Sequence, residues 1–157
     1  MKLQVGVEYF DFEQDFMEDN IRCIPMIVRF KLDASGIKLK LKEWSKMTVD
    51  EREQLAVLPI DSATNLAVYR IYVKELIHKH TGEGVTLLPA DHVYSYWHLT
   101  DQLPDVLAEK LEASKMTISL AQWKNLNLLQ RFALVKLTRQ GHENRNFPKA
   151  MKEFGLI

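Results

Sequence analysis

Apolar residues recur at helical spacing in two separate stretches of the chain. Val28 and Leu32 follow Pro25, and Leu107 and Leu111 follow Pro104. Each proline suits the first turn of a helix, where a missing N–H costs nothing. Gly36 is placed to end the first of these helices in a left-handed conformation. Lys115 stands at the matching place in the second, so that end is expected to differ. A short alternating run follows each helix, Ile37 to Leu41 and Met116 to Leu120, and alternation predicts an extended segment in each. The two segments are candidates to pair with one another.

Cap-type residues then mark new helix starts. Ser119 with Gln122 and Thr48 with Glu51 spell capping boxes, and Asn127 stands three residues before Gln130. The helices they open carry Leu55 and Leu58, and Leu134 and Leu137, inward, and Pro59 stops the first. A longer helix is predicted from Ala63 to Lys79, with Leu66, Tyr69, Val73 and Leu76 on one face and Gly82 and Gly84 beyond it. Its counterpart runs from Asn146 to Phe154 and ends at Gly155.

These two patterns coincide when the chain is shifted by 79 positions, which lays Trp44 on Trp123 without a gap. Pro25 meets Pro104, Lys31-Leu32 meets Lys110-Leu111, Arg52 meets Arg131, and Leu55 meets Leu134. The expected fold is therefore mainly α. It is one domain over residues 1–157, built from two tandem diverged helical modules related by pseudo-twofold symmetry, with one short extended segment per module. The copies span 24–80 and 103–155, joined by a connector at 81–102 that carries Tyr94, Tyr96, Trp97 and His98. Trp44 and Trp123 read as core anchors whose N–H groups meet carbonyls. For Arg52 and Arg131 an internal ion pair leads, with helix capping and partner contact as alternatives.

Composition removes several function classes. With 157 residues, 46% hydrophobic and 27% charged, the chain is globular. No apolar run approaches the roughly 18 residues of a membrane span. The N-terminal stretch lacks a secretory pattern, and a lone cysteine, Cys23, suits a reducing compartment, so a cytoplasmic location is expected. Cys23 reads as a small buried hydrophobe beside Ile24. Lysine plus arginine and aspartate plus glutamate number 21 each, which gives nucleic-acid binding no support. The charges are nevertheless segregated. Glu8, Asp11, Glu13, Asp15, Glu18 and Asp19 form an acidic run without a base. Arg22, Arg29, Lys31, Lys38, Lys40, Lys42 and Lys46 follow with only Asp33 and Glu43 opposing, and Arg131, Lys136, Arg139, Arg145, Lys149 and Lys152 make the C-terminal stretch basic again. Such blocks are solvated faces or complementary docking surfaces.

Candidate chemistry is sparse. The five histidines do not form the i, i+4 pair of a zinc helix, and no Gly-rich phosphate loop or nucleophile elbow is present. No catalytic, cofactor-binding or metal-ligating residue is assigned. The most loaded run is Gly141 to Pro148, with His142, Glu143, Asn144, Arg145 and Asn146 in succession. It reads as a polar loop capping the last helix through Asn144 or Asn146, or as a recognition surface. An acid/base pair from His142 and Glu143 is a weaker reading, because adjacent residues rarely converge on one atom.

Several runs resemble the nitrate reductase-associated protein family of cyanobacteria and other bacteria. They include Phe10 to Phe16, Arg22-Cys-Ile-Pro-Met26, Val28 to Asp33, Gly36 to Leu41 with Trp44, Glu51-Arg52, Gln130 to Leu134, and His142 to Phe147. The resemblance implies a non-catalytic accessory or partner protein of an assimilatory molybdenum nitrate reductase, needed for its assembly, maturation or activity. It establishes no catalytic residues. The family-like polar positions Arg22, Arg29, His142, Glu143, Asn144, Arg145 and Asn146 form the candidate partner surface. The alternative is a small-ligand, pterin-like binder or enzyme using the His142-Glu143-Asn144 loop.

Overall fold

A computed structural model describes residues 8–89, 100–139 and 145–157. The chain divides into two compact units, one within residues 1–92 and one within 93–157, so the boundary falls inside the aromatic connector.

In the N-terminal unit a 3-10 turn, Asp11–Glu13, runs into α1 (Gln14–Glu18). There follow α2 (Met26–Ser35), β1 (Ile37–Lys38), α3 (Leu41–Lys46), α4 (Val49–Val57), α5 (Ala63–Thr81) and β2 (Thr86–Leu87). Helix α2 packs against both α4 and α5, and α3 against α5. Val28, Leu32, Ile37, Trp44, Leu55, Tyr69, Val73 and Ile77 fill the space between them. Each such burial contributes about 1.5–3 kcal/mol for the aliphatic side chains. The Tyr69 hydroxyl is satisfied by donating to the Leu55 carbonyl at 2.8 Å, and burial raises its pKa. Helix α5 follows its predicted face except at Leu66, which is only half-buried; Ile77 completes the buried stripe instead.

The C-terminal unit contains α6 (Asp105–Ala113), α7 (Leu120–Asn125), α8 (Leu128–Lys136) and α9 (Asn146–Glu153). Helix α8 meets both α6 and α9. Leu107, Leu111, Trp123, Phe132, Leu134, Phe147 and Met151 form its interior. Helices α7 and α8 begin and end 79 positions after α3 and α4.

The predicted caps are present. Thr48 Oγ1 accepts the Glu51 N–H at 3.1 Å while a Glu51 carboxylate oxygen accepts the Thr48 N–H at 2.8 Å. Ser119 with Gln122 and Asn127 with Gln130 make the same reciprocal pairs. Each pair satisfies two N–H groups that a helix start leaves open.

Several expectations are corrected. Pro25 and Pro104 stand at the N-cap positions of α2 and α6, one residue before the first turn, with extended ψ of 157° and 141°. The α2 and α6 ends differ in where the helix stops, with left-handed Gly36 the C-cap of α2 and right-handed Ser114 that of α6, yet the chain turns left-handed at the matching residue in both. Gly36 has φ 71° and Lys115, a residue with a Cβ, takes φ 57°. Both N–H groups return to helix carbonyls, Gly36 to Asp33 and Lys115 to Glu112, each at 3.1 Å. Closing the turn therefore outweighs the steric cost at Lys115. The alternating run at 37–41 does not pair with 116–120. Two of its residues form β1, antiparallel to β2, with Ile37 opposite Leu87 and Lys38 opposite Thr86. Its remainder turns into α3, and residues 116–120 form no strand. Finally, Arg145 rather than Asn146 is the N-cap of α9, Asn146 being its first residue, and Cys23 is half-buried rather than buried.

Candidate functional site

The family-like stretch Arg22 to Pro25 lies in the turn that joins α1 to α2, and its shape is imposed from several sides. Asn20 and Ile21 both have positive φ, 56° and 55°. For a β-branched residue this is an outlier that the surroundings must enforce. Ile21 is fully buried, and its carbonyl accepts the Trp44 indole N–H at 2.8 Å. The Arg52 guanidinium donates to the Asn20 carbonyl at 2.8 Å and reaches the Ile21 carbonyl at 3.4 Å.

Further along, the Arg29 Nε–H donates to the Ile24 carbonyl at 3.1 Å. At the far end Glu13, only 3% exposed, spans two main-chain donors: Phe10 N–H at 3.0 Å and Met26 N–H at 2.7 Å. Met26 opens α2, so a carboxylate sits at a helix N-terminus, where the open N–H groups and the dipole favour negative charge. Held in this way, the turn presents Arg22 to solvent, paired loosely with Asp19 at 3.1 Å.

Arg52 overturns the ion-pair expectation. Among the described residues its partners are carbonyls: besides Asn20 and Ile21, its Nε donates to Trp44 at 3.2 Å and its Nη2 to Ser45 at 3.2 Å. It lies 5.5 Å from the Trp44 ring centroid. It thus caps the C-terminal end of α3 and fastens the preceding turn at once, and burial lowers its pKa. Arg131 behaves similarly in its own unit, donating to Leu126 at 2.9 Å and Lys124 at 3.4 Å beside the Trp123 ring.

A second polar cluster ties α4 to α5. Glu51 Oε1 lies 2.7 Å from His80 Nε2, and Glu51 Oε2 accepts from Lys79 Nζ at 3.0 Å. Burial pushes the Glu51 carboxyl up, but the Thr48 N–H, Lys79 and His80 outweigh it and hold it at about 2. So low a pKa leaves the carboxylate a poor proton acceptor at neutral pH, which suits fastening rather than general-base work. Burial and the Glu51 charge raise the pKa of nearby Tyr72, partly offset by Lys79. Lys31 shows the same economy of charge. It is 8% exposed, its Nζ donates to the Ala56 and Leu58 carbonyls at 2.6 Å each, and burial lowers its pKa while Glu8 raises it.

Of the expected contact residues, Arg22 lies in the α1–α2 turn and Arg29, in α2, reaches back to it through the Ile24 carbonyl. Arg145 is exposed and Asn146 half-buried at the start of α9 in the other unit. His142, Glu143 and Asn144 lie outside the described residues. Sequence reasoning missed Glu13 and Lys31, which it counted as surface charge. One acid within an acidic run, 13 residues before the helix start it serves, carries no signal that sets it apart from its neighbours.

Among the described residues, no cluster of three or more His, Cys, Asp or Glu side chains is arranged to hold a metal ion. No described helix is long and apolar enough to cross a membrane. An open cleft of 360 Å³ in the C-terminal unit is lined by Gln122, Asn125, Leu126, Gln130, Phe154, Gly155 and Leu156. It holds no titratable side chain, and Gln122 and Gln130 already cap their own helices.

A model of the conserved nitrate reductase-associated proteins matches residues 9–154. The chain belongs to this family. Comparison with curated proteins and with solved structures returned no match. The matched span of the nitrate reductase-associated family takes in both units, the Arg22–Pro25 turn and the Trp–Arg pairs of each unit.

Proposed function

We propose that this member of the family acts without catalysis of its own, as a cytoplasmic partner that binds an assimilatory nitrate reductase and supports its assembly, maturation or activity. The observation that carries the reading is the Asn20–Pro25 turn. Trp44, Arg52, Arg29 and Glu13 fix its main chain, and the outcome is a preset, exposed Arg22. Preset shape reduces the ordering cost of binding a protein surface. The proposed partner-contacting residues are Arg22 and Arg29 in the N-terminal unit and, in the C-terminal part of the chain, His142, Glu143, Asn144, Arg145 and Asn146.

The proposed architecture is one domain of two diverged copies, 24–80 and 103–155, related by a pseudo-twofold. In its support stand the coincident bounds of α3–α4 and α7–α8 and the two arginines that cap tryptophan-bearing helices.

The test has two parts. The chain, immobilised, is exposed to lysate of nitrate-grown cells, and nitrate reductase activity is measured in the bound fraction. Recovery that Arg22→Ala weakens by about tenfold supports the reading, as a loss of about 1.4 kcal/mol. A deletion strain with normal reductase activity and normal growth on nitrate overturns it.

A further inference from the structure

Ten residues of the N-terminal unit, Ile37 to Lys46, separate their side chains by character. Ile37, Glu43 and Trp44 are buried, whereas Lys38, Lys40, Leu41, Lys42, Ser45 and Lys46 are exposed. Glu43 is the single acid of the stretch, 5% exposed, and its carboxylate is taken by the Lys40 N–H at 2.8 Å. None of the four lysines makes an ion pair among the described residues, and with Glu43 counted the stretch carries a net charge of +3. Leu41 is 60% exposed in their midst, and Leu87, placed opposite Ile37 by the β1–β2 register, is 61% exposed. Each of these exposed aliphatic side chains costs free energy in water, and docking would recover part of that cost.

From this arrangement we infer that the β1–β2 edge and α3 form a docking face for a protein surface that presents carboxylates around an apolar spot. The face would serve the reductase partner, and in that respect the inference rests on the function proposed above. Charge complementarity selects the occupant: four exposed lysines against one buried carboxylate attract an acidic surface and speed its arrival. A nucleic acid has no use for the two leucines, and the stretch has no arginine, while its one aromatic, Trp44, is buried and cannot stack on a base. A membrane surface asks for a long apolar helical stripe, and α3 has six residues with one exposed leucine.

The experiment compares the wild-type chain with K38E/K42E/K46E and with L41S for binding to purified nitrate reductase at low and moderate salt. Far-UV circular dichroism and melting verify that the variants fold. The expected result is binding by the wild type that weakens with salt, at least about thirtyfold weaker binding by the triple variant, and about fivefold weaker by L41S. The partner reading stands and this face falls if the wild type binds while both variants bind equally well. No reductase binding by the wild type at low salt removes the partner reading and this occupant together. Charge-dependent binding to anionic vesicles or to DNA, with none to the reductase, or self-association abolished by the triple variant, assigns the face to another occupant and overturns the inference.

Discussion

Replacing Glu51 by glutamine would separate its two jobs. Glutamine keeps an amide oxygen to accept the Thr48 N–H, so the capping box survives. The charge opposite His80 and Lys79 is lost. A pKa displaced from 4.5 to about 2 corresponds to about 3 kcal/mol at 1.36 kcal/mol per unit. Part of that belongs to the main-chain bond that glutamine retains. Lys79 is 64% exposed, and water screens its share. The charge component, shared by Lys79 and His80, is therefore about 1–2 kcal/mol. The sign follows from the lowered pKa: the contribution is complete above 4.5 and fades as pH falls toward 2. Urea unfolding of wild type and E51Q should differ by about 1–2 kcal/mol at pH 6, and the gap should narrow by pH 3. A gap under about 0.5 kcal/mol at pH 6, or one unchanged at pH 3, would refute the assignment of the shift to these partners.

Two other substitutions test the local geometry. Lys115→Gly should stabilise by about 0.5–1 kcal/mol and Gly36→Ala should destabilise by about 1 kcal/mol, because both positions need a left-handed backbone; chemical denaturation midpoints report both. Arg52→Ala should cost about 2–4 kcal/mol by stripping donors from four carbonyls, and Arg52→Lys should restore less than half, since one ammonium cannot reach all of them; amide hydrogen exchange at 20–24 should accelerate in both.

The features that could be read in advance are those whose partners lie within one helical turn. Thr48–Glu51, Ser119–Gln122 and Asn127–Gln130 carry their spacing in the sequence, and so do the buried stripe of α5 and the glycine after α2. Long-range choices were not legible. The pairing of 37–38 with 86–87 depends on where α5 returns the chain. Glu13 and Lys31 look like ordinary surface charges until α2 and α4 bring helix ends to them. Arg52 has no carboxylate to find because its acceptors are carbonyls, which no residue type advertises. Of the candidate site, the Arg22–Pro25 run stood out as family-like, but the devices that shape it lie up to 32 residues away.

The grip of Arg52 has a consequence for how such a chain can change over generations. Every acceptor it uses is a main-chain oxygen, present whatever residue occupies the position. Ser45, exposed on the surface, can therefore drift in identity without loosening the turn, while one guanidinium carries the burden for all four contacts. Tolerance is spread across the acceptors and vulnerability is concentrated in a single codon.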